Sequence, residues 1–158
     1  MKSRLLRKGL DEKFMRLAIA EAADAAREGN APIGSVLTMG DQLVERGHNQ
    51  VFTEHDITAH AEVVSIRKLT KRIKSFDLRE YTLYSTFIPC AMCVATVLRT
   101  NIRRVVYGAE ARDASQFSRG IHNQANRRVL ALATKKVTFV PGVLRDDCAQ
   151  LLSKARPD

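Results

Sequence analysis

No run of about 18 apolar residues occurs in this chain, so no segment is expected to cross a bilayer as a helix, and no membrane partner is expected. The basic N-terminus, MKSRLLRKGLDEKF, also lacks the continuous apolar segment and small-residue cleavage site of a secretory signal, and a cytoplasmic location is expected. Cysteine is scarce. Three residues cannot all pair, and a Cys-x-x-Cys in a chain without an export signal more often serves metal or redox chemistry than crosslinking. Repeats, linkers and low-complexity segments are lacking, and 158 residues are expected to form one domain spanning 1–158, large enough to bury most of its apolar surface without disulfides. Acidic residues are few: 17, against 26 Lys and Arg, leave a net charge of +9. Such an excess attracts polyanions where it is clustered. Clusters occur at Lys2, Arg4, Arg7 and Lys8 and again at Arg67, Lys68, Lys71, Arg72 and Lys74, with pairs at Arg103/Arg104, Arg127/Arg128 and Lys135/Lys136. A solvated surface and a nucleic-acid footprint both fit that pattern.

What is present reads as alternating elements. Phe14, Leu17, Ala18, Ala22 and Ala25 recur at three- and four-residue spacing and predict a helix over 11–28, stopped by Gly29-Asn30. IGSVLTMGDQLVERGHN predicts a hairpin turning at Gly-Asp, followed by a polar loop. Asp56 or Thr58 can cap a helix over 59–72 with Val63, Ile66 and Leu69 as its buried stripe. YTLYST reads as a strand, Pro89 suits the first turn of the helix that continues through CAMCVATVLR, and RRVVYGA is another strand. Residues 110–126 are polar and irregular; a short helix over 127–133, the strand KKVTFV and a helix over 145–154 complete the chain. A hairpin followed by alternating helices and strands predicts an α/β fold, one mixed sheet covered on both faces.

Two short motifs carry chemistry. TAHAEVV places His60 two residues before Glu62, and IPCAMC places Cys90 three residues before Cys93. One imidazole and two thiols are the ligand set zinc favours, and Cys-x-x-Cys brings both sulfurs to one ion. With helices starting at Ala59 and Pro89, all three fall in first turns, where free N–H groups stabilise thiolates. A structural zinc takes a fourth protein ligand, whereas three ligands leave a position for water and lower its pKa to roughly 7. Residues two apart on a regular helix diverge by about 200°, so Glu62 is expected to serve not as a ligand but as general acid and base. The residues alone leave open a closed site completed by Cys148, His48, His55 or His122, a pair of core cysteines, and a redox pair.

At HAE and PCxxC the sequence resembles the zinc-dependent cytidine-deaminase-like superfamily, whose signature joins these two motifs in this order, so the roles that follow come from the resemblance. The likeness extends more weakly from about Phe14 to Leu152. APIGSVL, GHN, HDITAHAEVVSIRKL, TLYST and RRVVYGA look most like the branch holding guanine deaminase, fungal cytosine deaminase and bacterial tRNA adenosine deaminase. It implies a three-layer α/β/α sandwich around a five-stranded mixed β-sheet, usually a homodimer, and hydrolytic deamination with Zn2+. By position it implies His60, Cys90 and Cys93 as ligands, Glu62 as proton shuttle, and Asn49 and the Ala61 N–H as contacts to the base. Asp113 resembles both guanine and tRNA enzymes, and Phe117 is placed to stack on a flat base. Two departures stand out: Ile88 and Ile57 occupy positions where many relatives carry Glu and Pro, and EARDASQFSRGIHN matches no single branch.

A complete catalytic set in a small chain with a divergent pocket loop makes a free nucleobase or similar heterocycle, of guanine, cytosine or isocytosine type, the leading expected substrate. The alternative is adenosine-to-inosine editing of a tRNA anticodon, which requires the basic residues to rim the pocket. A zinc-stabilised nucleic-acid-binding module without turnover is the third reading, and it leaves Glu62 unemployed.

Overall fold

A computed structural model describes residues 2–114 and 124–153, for residues 2–4 and 125 the backbone alone. Five strands form one sheet in the order β2-β1-β3-β4-β5, comprising β1 (Gly34–Met39), β2 (Gln42–His48), β3 (Tyr81–Phe87), β4 (Arg104–Ala109) and β5 (Thr138–Val140). The first three strands pair antiparallel and the last three parallel, the mixed sheet that was expected. Gly40, with φ of +60°, makes the turn between β1 and β2.

Alternation along the central strands sorts the core to two faces. Val36, Tyr84 and Val106 pack with Phe14, Met15, Ala18, Cys148 and Leu152, from α1 (Lys2–Arg27) and α6 (Arg145–Ser153). Their neighbours Leu37, Leu83 and Val105 pack on the opposite face with Ile66 and Leu69 of α3 (Ala61–Ile73) and Val97 of α4 (Ala91–Arg99). The result is the three-layer α/β/α sandwich. Across the first face, Tyr84 donates its hydroxyl to Asp11 Oδ1 at 2.8 Å, and Arg104 binds the same carboxylate through two nitrogens at 3.0 and 2.7 Å, tying α1 to β3 and β4. No helix among the described residues is long and apolar enough to cross a membrane.

Element ends depart from expectation in ways that matter for the site. The first helix begins at Lys2, well before the apolar stripe, and leaves Leu5 and Leu6 exposed. The polar loop after β2 contains a one-turn helix, α2 (Val51–Glu54), whose Phe52 and Thr53 N–H groups donate to the Asn30 side chain at 3.0 and 3.2 Å. Asp56 caps no helix; its carboxylate accepts from Thr58 N–H and hydroxyl in the turn before α3. Helix α5 is described as Gln124–Ala133, where periodicity suggested 127–133, and its Asn126 lines the cavity at the site. β2 runs close beneath α3: a Cβ on Gly47 would lie 2.7 Å from Ser65 N and 2.9 Å from Ala61 O, so only glycine lets the helix start press against the sheet.

Asp11→Ala should lower unfolding free energy by about 2–4 kcal/mol, since it strands a part-buried guanidinium. Urea denaturation would measure it, and a change below about 0.5 kcal/mol would show that the α1 tie is dispensable.

Candidate metal centre and active site

His60 and Cys90 are not in first helical turns, as expected, but one residue earlier. Each is the N-cap of its helix, with extended backbone (φ −66°, ψ 150° and φ −74°, ψ 173°), and Cys93 is the third residue of α4. Their carbonyls accept the first helical bonds, from Val64 N–H at 2.8 Å and Val94 N–H at 2.9 Å. The two helix starts converge so that His60 Nδ1 lies 3.6 Å from Cys90 Sγ and 3.6 Å from Cys93 Sγ, with the sulfurs also 3.6 Å apart. Tetrahedral zinc bonds of ordinary length set ligand atoms roughly 3.5–3.7 Å apart. The donor set therefore fits zinc. Cys148 is not part of it: that thiol is buried against Gly108 on the α6 side of the sheet, and no other His, Cys, Asp or Glu among the described residues joins the group. The site keeps its fourth position open among those residues.

The extended N-cap also explains Glu62. Because His60 is not helical, the 200° divergence of two helical residues does not apply, and both side chains reach the same place. Glu62 is 3% exposed. Its Oε1 accepts from Ser85 Oγ at 3.0 Å, and its Oε2 lies 3.4 Å from Cys93 Sγ. Burial pushes its carboxyl above the usual range, opposed by the charge of His60. The hydrogen bonds it shares with Cys93 and His60 hold Cys90 down to about 4, and Cys93 is held up by its bond with Cys90 and by burial. The Cys90 sulfur in turn raises His60, against the effect of burial.

A cavity of about 360 Å³ opens onto these groups, lined by Asn49, Ala61, Glu62, Ile33 and Phe87, with Phe52 and Ile57 at its mouth. Asn49 is buried; its Oδ1 accepts from Val51 N–H at 3.1 Å. Of the other residues expected to meet substrate, Ala61 lines this cavity and Asp113 does not. Asp113 is held by Arg145 through two bonds of 2.7 and 2.8 Å and accepts from Glu110 N–H, which makes it a clamp between β4 and α6. Phe117 lies outside the described residues. Two site residues had escaped notice. Asn126 lines the cavity and accepts from Ala91 N–H at 2.8 Å, and Ser85 supports Glu62. A serine two residues after Leu83, on the buried face of a central strand, was the available signal for Ser85; nothing local marks Asn126.

No Lys or Arg among the described residues lines this cavity. Arg72 and Arg104 are paired with Glu45 and Asp11, and Arg103, Lys135 and Lys136 line a larger cavity of about 770 Å³ past the C-terminal end of α4, remote from the metal ligands.

Comparison with known proteins bears on what the site does. Residues 8–109 match the cytidine and deoxycytidylate deaminase zinc-binding region. The chain is 31% identical over 144 residues to the tRNA-specific adenosine deaminase of Buchnera aphidicola subsp. Schizaphis graminum, covering 90% of this chain and 91% of that protein. A solved structure from a study of A-to-I editing by tRNA:A34 deaminases at the wobble position superposes with a TM-score of 0.76 at 29% identity, covering 89% of this chain and 99% of that one. Guanine deaminase from Nitrosomonas europaea superposes with a TM-score of 0.79 at 22% identity, covering 90% and 82%, which is a likeness of fold. These findings overturn the leading expectation of a free nucleobase substrate. Further relatives named tRNA-specific adenosine deaminase match at 32% to 34% identity over 90% to 94% of the chain.

Cys93→Ala should reduce bound zinc from about one ion per chain to less than about a tenth, because two protein ligands do not retain it through dialysis. Elemental analysis of purified protein would show this, and undiminished zinc would move the metal elsewhere.

Proposed function

We propose, for a chain that belongs to the cytidine and deoxycytidylate deaminase zinc-binding family and is a zinc-dependent hydrolase of C–N bonds, that the substrate is adenosine in a tRNA anticodon and the product inosine. What carries this reading is the 31% identity to a tRNA-specific adenosine deaminase across nine-tenths of both chains. The wobble-position enzymes to which the structure is similar support A34 as the target. The charge distribution is not part of the support, since no Lys or Arg among the described residues lines the pocket. The mouth is: Phe52 and Ile57 are 48% and 76% exposed there, apolar platforms on which splayed neighbouring bases can stack.

His60, Cys90 and Cys93 would hold the ion, which when bound supplies Lewis-acid activation of a water molecule. Glu62 takes a proton from the attacking water and passes it to the ring nitrogen beside C6; a second proton transfer releases the exocyclic amine as ammonia. The C6–O bond forms as the C6=N1 electron pair moves onto the newly protonated ring nitrogen; the C6–N bond to the exocyclic amine then breaks as the C6=O carbonyl of inosine forms. Burial raises the Glu62 pKa above the ordinary carboxylate value, which suits a carboxyl that must both accept and return a proton. Asn49 would orient the base: its Oδ1 is committed to Val51, which turns its amide N–H groups to the ligand. The Ala61 N–H, at the first helical position, has no intrahelical acceptor and is available to a ring atom.

Incubating the zinc-loaded protein with an anticodon stem-loop bearing adenosine at the wobble position should yield inosine on nuclease digestion and mass spectrometry. Ammonia from free guanine or cytosine with no inosine from the RNA would reverse the proposal. Glu62→Ala should keep zinc and fold while lowering turnover by roughly 10² to 10⁴-fold; an unchanged rate would remove the proton shuttle.

A further inference from the structure

Glu62 has a freely rotating side chain and sits in a pocket that must admit a flat ring, yet a proton shuttle works only when one oxygen faces the reacting atoms. Its surroundings supply the restraint. Ser85 is fully buried in β3, a central strand bonded on one side to β1 and on the other to β4. Its hydroxyl donates to Glu62 Oε1 at 3.0 Å, while Oε2 is the oxygen lying beside Cys93 Sγ. The strand partner directly opposite Ser85 is Ser35, whose hydroxyl donates to the Ala61 carbonyl at 2.8 Å and contacts Ser65 Oγ at 2.7 Å. Ser65 also donates to the Glu62 carbonyl at 3.0 Å. Two serines therefore fix the backbone on which Glu62 stands, and the third holds one of its carboxylate oxygens.

We infer that Ser85 is a positioning residue for the shuttle: by engaging Oε1 through its hydroxyl, it reserves Oε2 on the ligand side as the oxygen that takes up and returns the proton. This rests on the role proposed for Glu62. The direction of the bond suits both states of the carboxyl, because an oxygen without a hydrogen accepts from Ser85 whether the proton is on Oε2 or absent. A hydroxyl placed only to satisfy a buried strand would show up in stability and not in turnover, which separates the two roles.

The test is Ser85→Ala, made alone and with Glu62→Ala, in zinc-loaded protein acting on the anticodon stem-loop. The single variant should lower kcat about tenfold or more, the size expected for a buried hydrogen bond to a charged group, with KM and zinc per chain unchanged. Added to Glu62→Ala it should lower the residual rate no further, because the group it positions is gone. Crystal structures of the two proteins without substrate give a readout independent of turnover: Glu62 should occupy one conformer in the parent and several in Ser85→Ala. An unchanged kcat, an equal loss in both backgrounds, or a Glu62 carboxylate unmoved in the variant crystal would overturn the assignment. Parent protein that makes no inosine would instead overturn the substrate reading, and the crystal comparison would still decide the part Ser85 plays.

Discussion

An imidazole nitrogen and two sulfurs, drawn from two different helices, stand within 3.6 Å of one another, and the rest of the architecture answers to that convergence. Such a group is costly to bury without a cation, and it becomes favourable only when the thiols are ionised and a metal balances them. Two helix starts at the same end of a sheet make this affordable. Their unpaired N–H groups and dipoles favour the negative charge of the sulfurs, and N-cap geometry turns His60 and Cys90 toward each other where a regular helix would carry them apart.

The placement of these helix starts is a matter of packing. Helix α3 approaches β2 closely because Gly47 has no side chain, and both α3 and α4 are held to the sheet by the apolar face built from Leu37, Leu83, Val105, Ile66, Leu69 and Val97. The opposite face does the same for α1 and α6, with the Asp11–Arg104–Tyr84 contact linking residues far apart in the chain. Rigid strands under a converging pair of helix ends give a carboxylate such as Glu62 a fixed address, which is what proton transfer requires. The pocket above is small and largely apolar, and its walls include residues from the segment before β1, the loop after β2, α2, the start of α3, β3, α4 and α5.

The chemistry of the site and the choice of substrate have different origins. The ligands and the acid–base group follow from a few side chains with strict geometric requirements, and family membership across residues 8–109 accords with them. Substrate choice depends on the shape and edge of the cavity, to which Asn126, Phe52 and Ile57 contribute from separate elements. Charge counting left a solvated surface and a nucleic-acid footprint both open, and in the structure Arg72 and Arg104 pair with acidic residues while Arg103, Lys135 and Lys136 lie past the C-terminal end of α4.

By itself, the sequence determined the metal-binding set, the fold class and most elements, because zinc chemistry limits ligand type and spacing while hydrophobic period reports which face of a helix or strand is buried. It placed His60, Glu62, Cys90 and Cys93 together before any coordinates. It could not show that His60 is an N-cap, the geometry that lets His60 and Glu62 face the same place. Nor could it show that Asp113 belongs to Arg145, that Asn126 reaches back 35 residues to Ala91, or that Ser85 meets Glu62 across 23. Those pairings are contacts between residues distant along the chain, created only when helices dock on the sheet, and local pattern carries no record of them.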